Sequence, residues 1–207
     1  VAPGAAGFAA FCDPRPSTTR EEFCAAVGLD PARPLLLYGC SSPFVAPREV
    51  EFVRRWIDEI RQSTDPALAG ASLLVRPHPV HTDQWENVSF ADLPNVAIWR
   101  LPTSMNADQG LYDSLHHSAA LVGLNTSAML EASIAERAVC TVLAPEFTGG
   151  QEQTLHFPYL REENGGPVSV ARNFAEHRQH LAALVRDPAP AAHRPKNIAH
   201  RLLRPTA

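Results

Sequence analysis

Five short apolar runs, separated by segments of helical period, limit the fold more than any other feature of this chain. The runs are Pro34–Tyr38, Ala71–Val75, Val96–Trp99, Ala119–Leu124 and Val139–Leu143. Each is too short for a helix and too continuous for a half-solvated strand. They read as strands buried on both faces. A helix from Thr18/Thr19 to Gly28 precedes the first run. Pro47 then opens a helix to about Gln62, in which Val50, Val53, Ile57 and Ile60 recur at helical spacing beside Trp56. Further helices are expected over Gln109–His117, with Leu111, Tyr112 and Leu115 inward, over Ala128–Ala135, and around Val170–Val185. Parallel strands need crossover helices, so the expected class is α/β: a Rossmann-like parallel sheet of five or six strands with helices on both faces. Residues 1–17 read as a linker or tail, 18–190 as the domain and 191–207 as a second tail.

Composition narrows the class. Hydrophobic residues make up 45% and charged residues 19%, as in an ordinary globule and unlike a disordered tail. No run approaches 18 apolar residues, which removes a helical membrane span. The net charge of −4 argues against a non-specific nucleic-acid binder. Cys12, Cys24, Cys40 and Cys140 form no close pair, so neither a disulfide framework nor a zinc knuckle is expected. With no signal segment in evidence, the expected setting is cytoplasmic, with any attachment to the inner membrane made through partners.

In open parallel sheets, ligands sit at the carboxyl ends of the strands. Three polar turns fall there. Gly39-Cys40-Ser41-Ser42 offers a close backbone approach at Gly39 and hydroxyl donors at Ser41 and Ser42, or is a plain turn. Arg76-Pro77-His78-Pro79 is a stiff corner: Arg76 carries a permanent charge suited to phosphate, and His78 donates a hydrogen bond or moves a proton. His81 reads as solvated. Asn125-Thr126-Ser127 stands where a strand becomes a helix, an anion site by virtue of unpaired N–H groups. Glu131, one turn further on the same face, is placed to reach ribose hydroxyls. The loop after the fifth run brings Gln151, Thr154 and His156 to the same edge, as ligand contacts or as loop surface. His116 and His117 suit a helix C-terminus better than a metal; no metal site and no cofactor are expected. The glycine fingerprints of dinucleotide and Walker-type binding are absent, as is a nucleophile elbow.

Arg76-Pro-His-Pro79, the segment Ala119-Ala-Leu-Val-Gly-Leu-Asn-Thr-Ser-Ala-Met-Leu-Glu131 and the run Ala135-Glu-Arg-Ala-Val-Cys-Thr141 together resemble the C-terminal half of GT-B glycosyltransferases. The nearest group is that of bacterial capsule and surface-polysaccharide synthesis, with its Kdo transferases and CDP-glycerol phosphotransferases. The resemblance covers residues 34–145. It implies a domain that binds a nucleotide-activated sugar or polyol. His78 would meet the donor phosphate, with Arg76 assisting charge neutralisation. Asn125, Thr126 and Ser127 would hold phosphate, and Glu131 the ribose. Related UDP-sugar 2-epimerases share the helix start, and a binding module without catalysis is a further alternative. Residues 1–33 hold too little for the acceptor half of such an enzyme. That half is expected in the same or a partner chain, and the chain alone is expected to bind donor without turning it over.

Overall fold

The structure, a computed structural model, describes residues 15–100 and 107–187. The linker expected over 1–17 therefore lies, apart from residues 15–17, outside the described residues, as does the tail expected over 191–207.

Helix α1 (Arg20–Val27) opens on a capping box, in which Glu22 N–H donates to the Thr19 hydroxyl and Thr19 N–H to the Glu22 carboxylate. It stops at Gly28, whose φ of 71° is the left-handed conformation that glycine adopts without strain. The chain then alternates: β1 (Leu35–Gly39), α2 (Glu49–Arg61), α3 (Pro66–Ala69), β2 (Ser72–Arg76), β3 (Val96–Ile98), α4 (Ala107–His116), β4 (Ala120–Val122), α5 (Ala128–Ile134), β5 (Ala138–Val142), α6 (Phe157–Leu160), β6 (Val168–Ala171) and α7 (Phe174–Arg186). Single 3₁₀ turns lie at Asp83–Trp85, Pro145–Phe147 and Glu162–Asn164. All neighbouring strands pair in parallel, in the order β3-β2-β1-β4-β5-β6. The fold is Rossmann-like α/β.

The period of two along each strand divides the apolar side chains into two cores. Leu36 and Tyr38 join Leu73, Val75, Val122 and Cys140 beneath α2 and α7, where Phe52, Trp56, Ile57, Ile60, Leu181 and Val185 are buried. Leu35 and Leu37 join Leu74, Leu121 and Val139 on the other face, against Phe23 of α1, Leu115 of α4 and Met129 and Ala132 of α5.

One expectation needs correction. The helix expected around Val170–Val185 begins only at Phe174; Val168–Ala171 before it is a sixth strand, paired with β5 from Val139↔Val168 to Val142↔Ala171. The start of α7 is fixed by Asn173, whose side chain accepts from Glu176 N–H at 3.0 Å. Upstream of that cap, the short Val-Ser-Val run is free to extend and close the sheet edge.

Candidate functional site

The strand order reverses direction between β1 and β4, so their following turns depart to opposite faces and leave a crevice between them. Two glycines let the turns close up. A Cβ on Gly123 would lie 2.8 Å from the Gly39 carbonyl oxygen, and one on Gly39 would lie 3.1 Å from Leu121 Cδ1. Ala128, the first residue of α5, therefore rests directly over the end of β1, with the Thr126 methyl beside it. Ser127 is exposed at this helix start and its side chain makes no capping hydrogen bond. Glu131 is half-buried further along α5. Burial, and then Asp108, push its carboxyl upward, while Arg76 pulls it down.

The β1 turn is built differently. Ser41 is wholly buried, and its N–H donates to Glu49 Oε2 at 2.7 Å. The Tyr38 hydroxyl donates to Glu49 Oε1 at 3.0 Å. Glu49 is itself fully enclosed, and that burial raises its carboxyl to about 7 against the hydrogen bonding from Ser41 and Tyr38 that opposes the shift. Ser41, expected to face a ligand, is thus turned inward and its amide is taken by an internal carboxylate. Ser42 stays half-buried at the surface, its carbonyl accepting from Val45 and Ala46.

After β2, Arg76 donates to the Gly110 and Ala107 carbonyls of α4 at 3.0 and 3.1 Å, and its guanidinium stacks 5.5 Å from the Trp99 ring. Burial lowers it to about 10, offset in part by Glu131, so it stays charged at neutral pH. Arg76 thereby braces α4 while its charge reaches Glu131. His78 is half-buried, and its Nδ1 accepts from Val80 N–H at 3.3 Å. The neutral ring therefore carries its proton on Nε2, the atom left to donate. Burial, then the nearby His81, lower the His78 pKa. His81 is not solvated as expected: only 7% of it is exposed, and its ring packs against the Gln84 amide.

The loop after β5 folds back over both turns. Gly150 presses on the backbone of Val45, where a Cβ would come within 2.4 Å of the carbonyl oxygen. Asn125 donates to the Gly150 carbonyl and the Thr154 hydroxyl, both at 3.0 Å, and accepts from His156 Nε2 at 3.0 Å. The structure thus brings Asn125, Thr154 and His156 together. Gln151 is placed otherwise. Wholly buried, it accepts from Ala144 N–H and donates to the Leu124 and Val142 carbonyls and the Thr141 hydroxyl, so it anchors the loop and does not face a ligand.

Sequence reasoning passed over Glu49 and named Gln151 without its anchoring role. Glu49 stands at the first position of α2, where acidic residues are common and normally solvated. The anchoring role of Gln151 has no sequence signal, since a glutamine in a Gly-containing polar loop looks like surface. His116 and His117 lie at the far, amino end of the sheet, where the His117 ring meets the Thr18 carbonyl. Among the described residues no group of three or more His, Cys, Asp or Glu is placed to hold a metal ion.

No protein-family model and no curated protein matches the chain. Solved structures do. The wall teichoic acid polymerase TagF superposes with a TM-score of 0.53 at 13% identity, over 84% of this chain and 40% of that one. A single-residue variant of TagF gives 0.55 at 14%, over 84% and 40%. The UDP-GlcNAc 2-epimerase from Methanocaldococcus jannaschii gives 0.46 at 12%, over 79% and 41%. The domain has the fold of one GT-B half. It spans about two fifths of the teichoic acid polymerase's length. No helix among the described residues is long and apolar enough to cross a membrane.

Proposed function

We propose that this domain binds the activated donor of a glycosyltransferase or glycerophosphotransferase-like enzyme of surface-polymer synthesis. The observation that carries the reading is the open β4 turn at the sheet's reversal point, at the same carboxyl edge as the His78 corner. A diphosphate set against Thr126 and Ser127 meets the positive end of α5 at the Ser127 and Ala128 N–H groups, the next amides, of Met129 and Leu130, being taken by the Thr126 and Ser127 carbonyls. His78 Nε2–H donates to the same phosphate. Glu131 accepts from ribose hydroxyls one helical turn along. Arg76 contributes field rather than contact, because its guanidinium is held by α4. Stabilising the leaving nucleotide's negative charge is the chemistry this domain supplies. The acceptor and its base belong to a further domain, so the isolated chain binds donor and does not transfer it.

Calorimetric titration with CMP, CDP, UDP, CDP-glycerol and UDP-N-acetylglucosamine tests this reading. Saturable binding of at least one is expected, weakened about tenfold in Glu131→Ala with the melting temperature retained. Silence with all five ligands would remove the reading. A Glu131→Ala chain that unfolds would make that residue a structural one.

A further inference from the structure

Glu49 has no part in the binding scheme above, yet it sits beneath it. The residue is fully buried, and among the described residues no ion pair includes it. Its hydrogen bonds come from two neutral donors, the Tyr38 hydroxyl of β1 and the Ser41 N–H of the turn. The other titratable group against it is the Cys40 thiol, also buried. Beyond Tyr38 lies Glu146, from the segment after β5, which pairs with Arg55 of α2. A carboxylate in this setting carries charge at a high cost in lost hydration. Ser41, whose N–H it holds at 2.7 Å, lies two residues along the backbone from Gly39, the residue on which the start of α5 rests.

The hydrogen-bonding pattern tolerates either protonation state. Charged, the carboxylate accepts twice. Protonated, the carbonyl oxygen still accepts from Ser41 N–H, and the new O–H donates to the Tyr38 oxygen, which is both donor and acceptor. The turn keeps its shape while the charge disappears.

We propose that Glu49 takes up a proton from solvent when an anionic ligand docks at the crevice between β1 and β4, and that this residue sets the pH dependence of binding there. The inference rests on the nucleotide reading above. Like charges brought together favour the neutral form of whichever group gives way more readily. A diphosphate diester has no proton to gain near neutrality, so Glu49 gives way. Its carboxyl, already raised to about 7 by burial, is poised to do so. Glu49 acts on the ligand through its field and through the turn, as a positioning residue that touches neither.

The experiment is calorimetry of CDP-glycerol and UDP-N-acetylglucosamine binding between pH 6 and 8.5, in buffers of different ionisation enthalpy. The wild-type chain is expected to take up a fraction of a proton at pH 7.5, and to bind roughly three- to tenfold more tightly at pH 6 than at pH 8. Glu49→Gln keeps an acceptor for Ser41 and a donor for Tyr38, and so mimics the protonated form. It is expected to bind with the low-pH affinity at every pH and without Glu49-linked uptake. Uptake that persists in Glu49→Gln and vanishes in His78→Asn would move the role to His78 and overturn the proposal. Binding with no uptake in the wild type overturns it too, and leaves the nucleotide reading standing. Absence of binding by either ligand overturns both. A ligand-free arm needs no variant: carbon-detected NMR of the Glu49 carboxyl should titrate near neutrality, and titration in the ordinary carboxylate range overturns the proposal whether or not nucleotides bind.

Discussion

The turns after β1 and β4 are made of the same kinds of residue, small and hydroxyl-bearing, and lie side by side at the reversal of the sheet. They are held in opposite ways. The β1 turn is gripped from inside: Glu49 draws in the Ser41 amide and leaves little of it for a ligand. The β4 turn is gripped from outside, by a loop that reaches Asn125 from Gly150, Thr154 and His156, while Ser127 stays open to solvent. A Gly/Ser-rich strand end therefore predicts a place where the backbone can receive an anion. Whether it does depends on what already occupies the N–H groups, and that is set by residues several positions away.

The outer grip is the one whose loss should be felt most. Gln151→Ala removes the anchor of the loop, strips the buried Ala144 N–H and Val142 carbonyl of its side-chain hydrogen bonds and leaves the Thr141 hydroxyl and Leu124 carbonyl only their own long contact, at a cost of about 4 kcal/mol. Urea denaturation should show the loss, and donor affinity should fall with it. Gln151→Glu at low pH, which restores a neutral side chain of the same shape, should recover part of the stability.

Discharging the inner grip comes next. The folded chain holds the Glu49 proton up to about pH 7, whereas an unfolded carboxyl loses it near 4.5. Between those values the folded state binds more protons, so raising the pH destabilises it. The full contribution is present below about pH 4.5 and is lost as pH climbs through 7. Glu49→Gln has no such loss. Its stability relative to wild type should rise from pH 5 to pH 8 by at most about 3 kcal/mol, read from denaturation midpoints. Equal pH slopes for the two chains would refute the account of the turn.

Gly123→Ala attacks the contact between the two turns. Its Cβ would meet a backbone oxygen, which has nowhere to go, and a loss of about 2 kcal/mol is expected. Gly39→Ala should cost less, because the atom it meets is the tip of the Leu121 side chain. A reversal of that order would mean the β1 turn, not the β4 turn, is the rigid partner. The smallest effect belongs to His78→Ala, which should leave folding intact and weaken donor binding about tenfold, or about 1.4 kcal/mol.

The sheet was legible because its strands are buried on both faces. Leu35–Tyr38, Ser72–Val75 and Ala138–Val142 have no polar residue that could pass for a helix surface, apart from the small Ser72 and Thr141, both enclosed. Strand β6 was less visible, since Val168–Ala171 is short, lies at an edge and runs without an apolar break into the helical pattern that follows. At the site, position was readable and direction was not. Strand ends put Ser41, Arg76, His78 and Asn125 at one edge, but a side chain in a turn has no periodicity to say which way it faces. Ser41 turned inward, Arg76 turned toward α4, and His81 found cover beneath its own loop. In each case the deciding partner, Glu49, Gly110 or Gln84, lies outside the turn residues from which the site was read.

The anchoring of the loop by Gln151 also bears on rates. A segment already fixed by four buried hydrogen bonds loses little freedom when a ligand arrives. Ligands that share a nucleotide should therefore associate at similar speeds. Their differences in affinity should appear in how long each stays bound.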